Sequence, residues 1–120
     1  MKPMDRTFGW LLVICSVLHA FGSATAYKGR PETLLWALSA TLGGLFLAAL
    51  NLLRFGRPGD RILAWISFAG CLGWLAVVIA FGKVIGNMLD LRVITLSIIL
   101  VVLAIFSIRS VKGIPDVETP

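Results

Sequence analysis

Cys15 and His19 lie four residues apart in an apolar run, so on a helix both side chains leave one face. A thiolate and an imidazole at that spacing are acceptable ligands for zinc, and a histidine can also bind haem iron. No second histidine exists in the chain, and the soft donors in or beside the later apolar runs, Cys71 and Met88, stand far along it. A closed metal shell is therefore not encoded, and a bis-histidine haem would need a second copy to supply its other ligand. Cys15 and His19 are the only weak candidates for a metal, and no cofactor is expected. A buried cysteine more often packs as a small hydrophobe than reacts.

His19 has a second reading. It stands a little past the middle of its apolar run, where an ionisable group is a functional hypothesis by default. Equal depth along the other apolar runs reaches Thr41, Trp74 and Ser97. This predicts a mid-membrane polar layer of His19, Thr41, Trp74 and Ser97. The imidazole could hold helices together by bonding Ser23, Thr41 or Ser97, or by packing on Trp74. Alternatively, it could handle a proton or line a substrate path.

Arg54, Arg57 and Arg61 form the other constellation, three guanidinium groups within eight residues. Beside a membrane, each attracts anionic lipid headgroups by about 1 kcal/mol, and the trio could equally dock an acidic partner. The sequence pI of about 9.9 does not argue for nucleic acid, because the positive charge is spread along the whole chain. Paired carboxylates, a nucleophile triad and a glycine-rich phosphate loop are all missing, so no enzyme is expected.

These residues are positioned by apolar runs. Of the 120 residues 58% are hydrophobic and only 14% charged, where a soluble domain carries nearer a quarter charged. Residues 8–26, 34–53 and 62–82 contain no Asp, Glu, Lys or Arg, and 93–108 is also free of charge. Crossing about 30 Å of hydrocarbon takes about 20 helical residues, and backbone in lipid must satisfy its own hydrogen bonds. The expected fold is an all-α integral membrane protein, a four-transmembrane-helix antiparallel bundle in one membrane domain. Its helices should cover about 8–26, 34–53, 61–83 and 89–109. A basic loop at 54–61 and a C-terminal tail at 110–120 complete it.

With four crossings, both termini and the middle loop share a side carrying seven Lys and Arg, against four on the other. This bias favours both termini in the cytoplasm, in a bacterial cytoplasmic membrane. The lead-in Lys2-Pro3-Met4-Asp5-Arg6 through Trp10 returns 55 positions later as Arg57-Pro58-Gly59-Asp60-Arg61 through Trp65. The two halves then read as parallel-repeat hairpins, unless each lead-in converged separately on residues favoured at membrane entry. Residues 1–26 also resemble a signal peptide with Ala24-Thr25-Ala26 as its site, but the repeated lead-in argues that helix one is retained. Asp5 and Asp60 should cap helices one and three.

Small residues predict the packing faces. Ala37, Ala40, Thr41, Gly44 and Ala48 share one face of helix two, and Ala69, Gly73, Ala76 and Ala80 one of helix three. Ser16, His19, Ser23 and Ala26 share a face of helix one. Such faces let backbones approach closely in lipid. Helix four is β-branched nearly all round, which predicts the most lipid-exposed position or a contact with another subunit.

Small multidrug transporters match this chain in length and helix number, but they carry a membrane-embedded Glu in helix one. No acidic residue is expected inside any helix here, so no family resemblance is carried. The best-fitting function is a non-catalytic accessory, scaffold or assembly protein acting through helix–helix contacts, as a homo-oligomer or within a larger membrane complex. Its expected partners are the lipid bilayer and anionic headgroups. The alternative is a small oligomeric transporter or channel around His19, followed by a membrane redox or haem protein.

Overall fold

A computed structural model describes residues 2–113. They form four helices: α1 (Lys2–Ala26), α2 (Pro31–Gly56), α3 (Arg61–Val84) and α4 (Leu91–Lys112). All four are long and apolar enough to cross a membrane. The turns are short, so neighbours run antiparallel, and the bundle measures 52 × 25 × 24 Å. Each hairpin, α1 with α2 and α3 with α4, packs more closely within itself than against the other. The described residues bear out the expected all-α four-helix bundle.

Helix ends differ from the sequence expectation where polar residues proved compatible with helix. The α1 helix begins at Lys2 rather than near residue 8. Pro3 is tolerated because the first turn has no intrahelical partner for the missing N–H. Asp5 is therefore inside α1 and does not serve as its cap. The α2 helix runs on to Gly56, so the loop expected at 54–61 contracts to residues 57–60. Helix α4 continues to Lys112, and Gly113 closes it at φ 68°, a left-handed conformation glycine adopts without penalty. Residues 114–120 of the expected tail lie outside the described residues.

The expected Asp60 cap is present, and Pro31 and Asp90 open two further helices. Asp60 accepts the Leu63 backbone N–H at 3.0 Å and starts α3. Pro31 opens α2 with Glu32 in its first turn. Asp90 caps α4 by accepting the Arg92 backbone N–H at 2.9 Å, and the Arg92 guanidinium clasps the same carboxylate. The side-chain bond from Arg92, then the backbone bond, hold the Asp90 carboxyl below its ordinary range. A depressed carboxylate stabilises the fold above the unfolded-state value, and that contribution is lost as pH falls through the lowered one.

Two helices, α3 and α4, pack otherwise than their residue patterns predict. In α2 the expected face does turn inward, with Thr41, Gly44 and Ala48 buried. In α3, however, Ala69, Gly73, Ala76 and Ala80 are all exposed, and nothing lies within 4 Å of a Cβ built on Gly73. Instead α3 buries Ala64, Ser67, Cys71 and Val78. Helix α4 is the most enclosed of the four, with 39% of its apolar window buried against 22% for each other helix. Its bulky side chains fill hollows left by smaller partners: Val93 sits 3.3 Å from the Cβ position of Gly82. On α1, Ser16 and Ser23 are buried while His19 and Ala26 point outward.

Candidate functional site

The most concentrated polar chemistry lies at the end of the bundle where α1 starts and α2 and α4 finish. Helix α2 carries Asn51 and Arg54, three residues apart and so on one inward face. Arg54 donates Nη1 to Asp5 Oδ2 at 2.8 Å and Nη2 to Asp5 Oδ1 at 2.7 Å, a bidentate pair. Both residues are nearly sealed, at 3% and 5% exposure. Nη2 also donates to Asn51 Oδ1 at 3.2 Å, and Nη1 makes a longer contact of 3.4 Å with Ser110 Oγ.

Asn51 connects this pair to the remaining helices. Its Nδ2 donates to the Leu47 carbonyl at 2.9 Å and approaches Cys71 Sγ on α3 at 3.5 Å. Its Oδ1 accepts from Ser107 Oγ on α4 at 3.3 Å. Nearby, Ser67 Oγ on α3 donates to the Leu50 carbonyl at 3.3 Å. One arginine and one asparagine thus link all four helices. Arg54 Nε is the one buried side-chain nitrogen or oxygen left without a partner among the described residues. Twenty-six residues of α2 span about 39 Å against about 30 Å of hydrocarbon, so the network sits near headgroup level.

The network overturns the reading of Arg54 as a headgroup contact. Its guanidinium is consumed by Asp5 and withdrawn from the surface, whereas Arg57 and Arg61 are exposed. It also corrects the expectation that no helix holds an acidic residue. Sequence reasoning missed Asp5, Asn51, Ser107 and Ser110 as a group. The available signal was spacing, since Asn51 and Arg54, and Ser107 and Ser110, recur at three residues in otherwise apolar helices.

The expected mid-membrane layer is only partly assembled. A cavity of about 140 Å³ opens between the two hairpins, and His19, Thr41 and Trp74 line it. Ser97 is half-buried but is not part of that wall. Thr41 donates to the Ala37 carbonyl at 3.2 Å, and the Trp74 ring packs 3.1 Å from the Cβ position of Gly43. His19 makes no hydrogen bond among the described residues and stands exposed at the edge of the cavity. Cys15 shares its cavity wall, while Cys71 lies in the polar network. Among the described residues, no three His, Cys, Asp or Glu side chains gather where they could hold a metal ion. Replacing His19 with leucine should therefore change the unfolding free energy by less than about 0.5 kcal/mol, as surface substitutions do. A larger loss in a denaturant titration would mean that the imidazole is a structural tie.

No family model, curated protein or solved structure matches this chain.

Proposed function

We propose that this is a non-catalytic membrane protein that works by presenting a helix face to a neighbouring membrane-embedded chain, as an accessory, scaffold or assembly protein. The observation that carries this reading is the small-residue face of α3. Ala69, Gly73, Ala76 and Ala80 recur at steps of four, three and four, yet all face away from the bundle. Close helix approach in lipid is driven by dispersion between surfaces without protruding side chains. A face built for such contact but unused internally suits an external helix. The interior favours the same reading, because its charged pair is engaged by its own neighbours and ties the helices together.

The bundle would sit in a bacterial cytoplasmic membrane with both termini in the cytoplasm, in keeping with the excess of Lys and Arg at that end. A transport role draws less support, since the cavity near His19 has a mainly apolar wall.

Extraction into lipid nanodiscs by an amphipathic polymer tests the proposal without removing partners. Particles should hold protein mass well above a single chain of 13.0 kDa. Gly73→Leu should reduce them to single chains while the melting temperature stays unchanged, because no neighbour occupies that position. Ile98→Ala, an exposed change on α4, should leave the particles alone. Single-chain particles from the parent protein, or particles indifferent to Gly73→Leu, would reject the proposal.

A further inference from the structure

The cavity between the hairpins has features that the helix-face reading does not use. It begins beside Leu12 and reaches Arg92 at the start of α4, bounded by all four helices. From Leu12 to His19 helix α1 rises about 10 Å, so the cleft runs lengthwise, parallel to the acyl chains of a bilayer. Its lateral edges are exposed, at His19 on α1 and Val77 on α3. A chain could thus enter from the surrounding lipid.

The mouth is cationic. The Arg92 guanidinium rests 5.1 Å over the ring of Phe81, which itself lines the cavity. Nε and Nη2 face Asp90, but Nη1 donates to no group among the described residues, and the side chain is 59% exposed. At this end of the bundle four cations, Lys28, Arg30, Lys83 and Arg92, outnumber the two carboxylates Glu32 and Asp90. Apolar cavities on the order of 150 Å³ stay dry and take a hydrocarbon guest of benzene size, which matches a length of one alkyl chain.

We propose that this cleft is a binding site for one acyl chain of an anionic phospholipid, its phosphate held at the free edge of Arg92. The depth of the slot, its lateral opening and the cation at its mouth together specify an amphiphile with one buried tail and a negative head. A zwitterionic lipid offers the same tail but no net charge for the mouth.

Trp74, in the cavity wall, reports occupancy once the three exposed tryptophans are replaced (Trp10→Phe, Trp36→Phe, Trp65→Phe). In phosphatidylcholine vesicles, phosphatidylglycerol brominated on its acyl chains should quench Trp74 at about fivefold lower mole fraction than brominated phosphatidylcholine, the preference one interfacial cation supplies. Arg92→Gln should erase that preference, and Ala40→Leu, which fills the cleft, should weaken quenching by both lipids. Equal quenching by the two lipids, or a preference that survives Arg92→Gln, would overturn the proposal. If the tryptophan variant does not fold, native mass spectrometry of the parent protein from mixed vesicles replaces it. One retained phosphatidylglycerol supports the site, and unselective retention or none overturns it.

Discussion

Arg54→Leu should cost the bundle about 3–5 kcal/mol, and Asp5→Leu a similar amount, because each leaves a sealed charge without its counter-ion. The double variant Asp5→Leu/Arg54→Leu should recover most of the loss and could match the parent, since apolar pairs of similar volume pack well where an ion pair stood. Part of the reason lies in Arg54 itself, whose Nε is already unpartnered and buried in the native state. Unfolding by SDS titration in mixed micelles measures all three. Additive losses in the double variant would show that the two charges do not depend on each other. Asn51→Leu should fall between, because it strips one acceptor from Arg54 and from Ser107 while leaving the ion pair in place.

Gly44→Leu should be the most damaging change along the α1–α2 seam. A Cβ at Gly44 would stand 2.5 Å from Ser16 Oγ, and every further atom would push deeper between the helices. Overpacking of this kind costs about 1–3 kcal/mol. The same distances predict a rescue: Ser16 Cβ lies at an ordinary 3.5 Å, so Gly44→Ala should be tolerated once Ser16→Ala has removed the hydroxyl. Thermal melts of the two single variants and the double variant decide it. If Gly44→Ala is equally harmless with Ser16 present, the serine has simply rotated away and the seam is less tight than the geometry implies.

Much of this architecture was legible in the sequence, because lipid leaves few options. A chain with four uncharged apolar runs must make helices of them, and Asp60 marks the start of α3 by a local hydrogen-bonding rule. What escaped were choices between equally permitted faces. Small residues signal close approach but not whether the approaching helix belongs to the same chain, so the α3 stripe could point in or out. The bulk of α4 suggested exposure, yet bulk is what fills grooves lined by glycine and serine. Asp5 and Asp60 illustrate the limit of local grammar. They occupy matching positions in the repeated lead-in, but one caps a helix and the other pairs with an arginine 49 residues away. Nothing in nine residues distinguishes them.

The location of that pair bears on how the protein is made. A ribosome delivers α1 and α2 before the rest, and an arginine arriving near the end of α2 would burden insertion if it met the membrane alone. Asp5 precedes Arg54 in the chain, so the α1–α2 hairpin holds both members of a neutral couple. Asn51 and the remaining edge of the guanidinium then present unfinished hydrogen bonds to whatever comes next. Ser107 and Ser110 complete them only when the last helix has been synthesised. The network thus divides by chain order: its ion pair lies wholly within the α1–α2 hairpin, and its serine bonds come from α4.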